Sequence, residues 1–288
     1  MNGYAERFVT TPDGLKLFLR DYPALDDESR LPVLCLHGLT RNSADFEGVA
    51  PRLATHGRRV LALDVRGRGR SDHDPEPSRY RPDIYVQDVQ HVLESLGIAR
   101  AVFIGTSMGG LITMLLAQTA PERIAAVVLN DIGPVLNPTG LARIMAYVGQ
   151  TGPYASWQAI GDAIRATQAR AFPDADAGFW DTFARRVARE EANGTVSFAY
   201  DPAITQAFSA APTGPAPDLM AAFSALAAKP VLVVHGAISD ILTPEGVDAM
   251  RATKPDLVVA EVPRVGHAPT LEEPAAATAI DKFLHAVA

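Results

Sequence analysis

A short apolar run, Ala101-Val102-Phe103-Ile104, ends at Gly105-Thr106-Ser107-Met108-Gly109, and a second apolar stretch, Leu111 to Ala117, begins two residues later. No other feature of the chain constrains its fold so tightly. The first run suits a buried strand and the second a helix, so the pentapeptide must turn the chain sharply between them. A side chain on either flank of the serine would clash in so tight a turn, and glycine removes the Cβ at 105 and 109. Ser107 is thereby expected in a sparsely populated backbone region. That costs about 1–3 kcal/mol, and strain of this kind concentrates at functional sites. A G-x-S-x-G between strand and helix presents the serine hydroxyl as a nucleophile. Alone, the motif also reads as a glycine-rich turn with an idle serine, so other segments must support it.

The runs Val33-Leu34-Cys35-Leu36, Val60-Leu61-Ala62-Leu63, Ala125-Ala126-Val127-Val128-Leu129, Val231-Leu232-Val233-Val234 and Leu257-Val258-Val259-Ala260 are short and apolar throughout. Such runs are the signature of a parallel sheet covered on both faces. Helical segments separate most of them; residues 82–96 open on Pro82-Asp83 and close at Gly97, favourable start and stop signals. Before them, Arg7-Phe8-Val9-Thr10, a Pro12-Asp13-Gly14 turn and Leu15 to Leu19 read as a hairpin. The pattern predicts an α/β protein with right-handed crossovers.

From Pro134 to about Met220 the rhythm breaks. No convincing apolar strand appears, and the segment is helix-like and aromatic, with Tyr147, Tyr154, Trp157, Phe172, Phe179, Trp180, Phe183, Phe198, Tyr200 and Phe208. Gly152-Pro153, Pro173 and Pro212-Thr213-Gly214-Pro215 punctuate it. The expected organisation is a core of residues 1–133 and 221–288 with a helical insertion at 134–220. Most of its aromatic residues are expected to pack the insertion against the sheet.

Composition narrows the partners. With 48% hydrophobic residues, 288 residues suffice for one large core. The net charge of −7 and the lack of a long basic run disfavour nucleic acid and anionic membranes. The single cysteine, Cys35, lies in a strand-like run and reads as inert packing; with no internal disulfide possible, a cytoplasmic setting is expected. Residues 1–7 lack a basic segment followed by an apolar run, so no secretory leader is expected, and no apolar stretch is long enough to span a bilayer.

A serine hydroxyl needs a base within hydrogen-bond reach, and the base needs an orienting group. His267, in Gly266-His267-Ala268-Pro269, follows the last apolar run. Loops at the carboxyl ends of parallel strands are where such sheets place functional groups. Asp240, in the loop after Val231–Val234, is the preferred acid. Asp131, just beyond another strand, is its competitor and reads better as a strand-end residue at the entry to the insertion. The oxyanion calls for two backbone donors, the Met108 amide at a helix start and the Leu39 amide in His37-Gly38-Leu39-Thr40. His37 reads as a structural residue holding that loop. Ile144, Met145, Tyr147 and Trp157 are the candidate substrate-binding residues.

Four separated segments now agree: His37–Thr40, Asp64-Val65-Arg66-Gly67-Arg68-Gly69-Arg70-Ser71-Asp72, the Gly105–Gly109 turn and Gly266–Pro269. Together they resemble the α/β-hydrolase fold superfamily in its capped serine-hydrolase form. The second resembles the D-x-R-G-x-G-x-S loop of that family, a structural loop near the active-site mouth. The resemblance implies a mostly parallel eight-stranded sheet, second strand antiparallel, with helices on both faces and a helical cap inserted after strand six. It implies a cofactor-free esterase acting on small or medium esters, without a metal. Aspartate-nucleophile chemistries of the family are disfavoured by Ser107. A carbon–carbon bond hydrolase or lactonase with the same triad is the alternative, with Arg41 or Arg143 facing a substrate carboxylate. A ligand receptor on a retained scaffold is the reading from another class.

Overall fold

The structure, a computed structural model, describes residues 3–25, 30–206 and 217–287. Phe208 and the Pro212–Pro215 turn signal lie outside the described residues. The chain runs β1 (Ala5–Thr10), β2 (Lys16–Tyr22), β3 (Val33–Leu36), α1 (Val49–Thr55), β4 (Val60–Leu63), α2 (Pro82–Ser95), β5 (Ala101–Thr106), α3 (Met108–Thr119) and β6 (Ile124–Asn130). It continues through α4 (Pro138–Met145), α5 (Trp157–Gln168), α6 (Ala177–Val187), β7 (Ala188–Glu190) and β8 (Val196–Phe198). It closes with α7 (Leu219–Ser224), β9 (Val231–Gly236), α8 (Pro244–Thr253), β10 (Val258–Val262) and α9 (Pro274–His285).

Eight strands form one sheet in the order β1-β2-β4-β3-β5-β6-β9-β10. Strand β2 is antiparallel to both neighbours, and the pairs from β4 onward are parallel. The expected hairpin and antiparallel second strand are therefore present. Each apolar run divides between the two faces because successive side chains point to opposite sides. Leu34, Leu36, Phe103, Val127 and Leu129 join the cluster under α2, α3 and α8. Val33, Cys35, Val102, Ile104, Ala126 and Val128 join the cluster under α1 and α9.

The segment between β6 and β9 corrects one expectation. It holds a two-stranded antiparallel hairpin, β7–β8, besides its helices. Three-residue strands leave too short an apolar run to be read from sequence. Side-chain oxygens of Asn137, Ser156 and Asp176 accept amide hydrogens at the starts of α4, α5 and α6, which fixes where these helices begin. Ile160, Trp180, Ala184, Val187 and Val196 give this segment an apolar core of its own.

At the turn before α3, a Cβ on Gly109 would stand 2.0 Å from the Leu36 carbonyl oxygen, and one on Gly105 2.5 Å from the Gly110 nitrogen. Helix α3 thus rests directly on the end of β3. Gly161, inside α5, has open space where its Cβ would stand. Gly109→Ala is expected to cost about 1–3 kcal/mol through overpacking, whereas Gly161→Ala should stabilise by about 0.5–1 kcal/mol. Denaturant unfolding of both variants measures the contrast.

Candidate active site

Four loops at the carboxyl ends of β3, β5, β6 and β10 converge. Ser107 follows β5 with φ 50° and ψ −114°, the strained backbone its flanking glycines permit. Its Oγ lies 2.9 Å from His267 Nε2. His267 Nδ1 lies 2.8 Å from Asp131 Oδ2. A carboxylate only accepts, so Nδ1 carries the proton and Nε2 is free to accept from the serine. Asp131 is fully buried and the His267 side chain is 8% exposed, so water is largely kept from both.

The acid position is a correction. Asp240 does not bond His267; its carboxylate takes both Nε and Nη2 of Arg143, at 2.6 and 2.8 Å. That pairing holds the Asp240 carboxyl below the usual carboxylate range. The cause lies in packing. A Cβ on Gly140 would stand 2.0 Å from the Asp240 carbonyl oxygen, so α4 sits on this loop and delivers Arg143, one turn on, to the carboxylate. The end of β9 and the loop after it serve Asp131 instead: the Gly236 amide donates to Oδ1 at 2.9 Å and Ser239 Oγ to Oδ2 at 2.5 Å. Asp131 itself has φ 54°, a left-handed conformation that Asp tolerates better than most residues.

A cavity opens over Ser107 and His267, lined by Gly38, Leu39, Ile144, Tyr147, Tyr154, Ile164, Phe172, Phe183, Phe198 and Tyr200 among others. Ile144 and Tyr147 are therefore where the sequence reading puts them, and Met145 and Trp157 are not. Met145 is 37% exposed, because its neighbour Ile144 takes the inward face and adjacent residues diverge by ~100° around a helix. Trp157 begins α5, far along the axis from Ile164; its Nε1 donates to Glu190 Oε2 at 3.3 Å and Arg185 stacks over its ring. The roof residues Ile164, Thr167 and Gln168 of α5 and Phe179, Thr182, Phe183 and Arg186 of α6 were missed as a set. Their spacing of three and four is the signal that finds them.

The family model for the alpha/beta hydrolase fold matches residues 32–274. This chain belongs to the α/β-hydrolase fold family. It is 36% identical over 255 residues to a 3-hydroxybutyrate-oligomer hydrolase of Cupriavidus necator, covering 84% of each chain. It is 29% identical to a 2-(acetamidomethylene)succinate hydrolase of Mesorhizobium japonicum, over 82% of this chain and 81% of that one. An alpha/beta hydrolase crystal structure from Novosphingobium aromaticivorans superposes with a TM-score of 0.92 at 45% identity, covering 99% of each chain. Hydrolysis is the chemistry these relatives share and the activity class of this chain. Among the described residues, no helix is long and apolar enough to cross a membrane.

The hydrolase builds the floor of its site from the loop after β3. A Cβ on Gly38 would stand 3.8 Å from Ser107 Cβ, so residues 38–39 lie against the serine. His37 holds this loop as a neutral ring: Nδ1–H donates to the Gly38 carbonyl at 2.7 Å, and Nε2 accepts from the Val65 amide at 3.0 Å. Burial pushes its pKa down to about 4. Unfolding returns it to about 6.5, so between these values the unfolded chain binds the extra proton. Stability is therefore full above about pH 6.5 and falls on acidification toward pH 4. Unfolding free energies measured across this window should show that loss, with a shallower slope in His37→Asn.

Proposed function

We propose that this hydrolase cleaves carboxylic esters through an acyl-enzyme on Ser107, with His267 as base and Asp131 as the orienting acid. One observation carries the reading: the unbroken hydrogen-bonded line from Ser107 through His267 to the buried Asp131. The Ser107 hydroxyl gives its proton to His267 Nε2 as Oγ bonds the ester carbonyl carbon. Asp131 stabilises the imidazolium that forms. The amides of Leu39 and Met108 take the oxyanion. Met108 opens α3, where an amide has no intrahelical acceptor and the helix dipole favours negative charge. As the tetrahedral species collapses, the carbon–oxygen bond to the alcohol breaks and His267 returns its proton to the leaving oxygen. Water then enters and loses a proton to His267 as its oxygen bonds the acyl carbon; the bond from that carbon to Oγ breaks, and His267 returns the proton to Oγ, releasing the acid and free Ser107.

Residues 134–220 serve as a cap on the core of residues 1–133 and 221–288. The substrate is a small or medium ester, and short oligoesters of hydroxy acids belong in the screen because the Cupriavidus relative bears that substrate in its name. The carbon–carbon or lactone alternative stands second. Arg143 is engaged by Asp240, and Arg41, which lines the cavity, is held by Asp45 at 2.6–3.0 Å. The lone, buried Cys35 supports a cytoplasmic setting; its burial pushes the thiol pKa up, away from reactivity. No cofactor, nucleic acid or membrane takes part in this reading.

A fluorophosphonate should label Ser107, and Ser107→Ala should lose both labelling and turnover. Asp131→Asn should lower kcat by about 10⁴-fold, whereas Asp240→Asn should keep wild-type chemistry. Loss of turnover in Asp240→Asn alone would return the acid to the β9 loop. In a screen of nitrophenyl esters of graded length, lactones and a ring-fission dienoate, Ile164→Trp should shift preference to shorter acyl groups and Met145→Ala should not.

A further inference from the structure

Among the described residues, Arg68 is a buried cation with no carboxylate paired to it. Its side chain is fully buried. An ion removed from water costs several kcal/mol unless paired. Arg66, two residues earlier, follows that rule, with Asp13, Asp74 and Asp88 around it. Arg68 does not. Its Nε donates to the Leu39 carbonyl at 3.0 Å, and its Nη1 to the Arg66 carbonyl at 2.8 Å and to Tyr85 Oη at 2.9 Å. Nη2 lies 3.8 Å from Met108 Sδ. The rings of Tyr85 and Tyr80 face the guanidinium at 5.0 and 5.5 Å. All of these partners are neutral.

Two of them, Leu39 and Met108, are the residues whose amides receive the oxyanion in the reading above, on which this inference rests. We propose that Arg68 is the positioning residue of the oxyanion site: it fixes the Leu39 and Met108 segments against each other, and the anion formed during reaction is the counter-charge it otherwise lacks. The Leu39 carbonyl and amide are joined through one Cα, so fixing the carbonyl restricts how the amide can turn. Met108 is held from its side chain, at the first residue of α3. A guanidinium suits this task because its planar fork reaches several acceptors at once. Charge in a dry site acts more strongly than in water. An arrangement set before reaction favours the transition state rather than the ground state.

The test compares wild type, Arg68→Met and Arg68→Lys with a nitrophenyl ester and with a trifluoromethyl ketone, whose adduct on Ser107 carries an oxyanion. Arg68→Met should lower kcat roughly 10- to 100-fold and weaken ketone binding by the same factor, with KM within about twofold of wild type. Arg68→Lys keeps the charge but not the fork and should fall between the two. If Arg68→Met does not fold, Arg68→Lys decides, with a several-fold loss in kcat and ketone affinity at unchanged KM as the expected result. A folded variant with unchanged kcat and ketone affinity overturns the proposal. So does one that melts earlier but keeps the wild-type ratio of ketone to substrate affinity. A wild type that neither turns over esters nor binds the ketone overturns the ester-hydrolase reading instead, which keeps the two failures distinct.

Discussion

The Asp131 carboxylate is the interaction on which the site depends. It is fully buried and accepts from the Gly236 amide, Ser239 Oγ and His267 Nδ1. One side chain therefore ties the end of β6 to the loops after β9 and β10. The alternative to these bonds is a buried charge left unsatisfied, which costs more than the bonds themselves contribute. Three donors on one carboxylate make the site close as a unit. The preceding residue continues the stitching: Asn130 Nδ2 donates to Thr106 Oγ1 and to the Pro269 carbonyl, at 3.0 and 2.8 Å. Neighbouring positions at one strand end thus fix both the turn at Ser107 and the loop of His267.

The loop from Asp64 to Asp72 plays the matching part on the other side of Ser107. Asp64 accepts the Ser43 and Arg70 amides, and Ser71 and Asp72 accept the Phe18 and Lys16 amides of β2. The same loop receives the far end of the insertion: the Gly69 amide donates to the Ala199 carbonyl and the Asp201 amide to the Gly67 carbonyl, at 2.7 and 2.8 Å. Its two buried arginines divide the work. Arg66 lies among aspartates and holds the loop to α2 through Asp88. Arg68 faces carbonyls and rings on the side of Ser107 and Met108.

Much of this was legible in the sequence. Short apolar runs suit strands of a sheet covered on both faces, and all six coincide with strands, the last of them the partly exposed edge strand β10. Ser107 and His267 were legible as candidates because Ser107 lies between Gly105 and Gly109 directly after an apolar run, and His267 follows Gly266 in the loop after the last one. The acid was not. Asp131 and Asp240 both follow a strand, and both satisfy the order serine, aspartate, histidine; β6 and β9 are neighbours in the sheet, so either loop reaches the histidine. What separates them is long-range: Gly140 of α4 packs on the Asp240 backbone and brings Arg143 to its carboxylate. No local pattern encodes that contact. Met145 and Trp157 failed for a similar reason, since composition marks a residue as apolar without saying which way a helix turns it.

The insertion is more than a cover laid over a finished site. Its inner core packs α5 against α6 through Ile160, Trp180, Ala184 and Val187, and Ile164 and Phe183, members of the same cluster, also line the cavity. The turn that joins the pair is bonded to the loop that carries His267. The Gly266 amide, next to His267, donates to the Ala171 carbonyl at 2.7 Å, and a Cβ on Gly266 would stand 2.9 Å from Ala171 Cα. Asn42 Nδ2 donates to the Arg186 carbonyl at 2.8 Å, and Arg186 pairs with Glu272 at 2.7 Å beyond the histidine loop. The backbone that carries the histidine is thus held from below by Asn130 and from above by the turn after α5. Substitutions on the cavity face of α5 and α6 change the wall over Ser107, whereas loss of the Ala171 contact removes a support of the loop that carries His267. The cavity wall and the histidine loop share one scaffold here, and the hydrogen bond at Gly266 is where they meet.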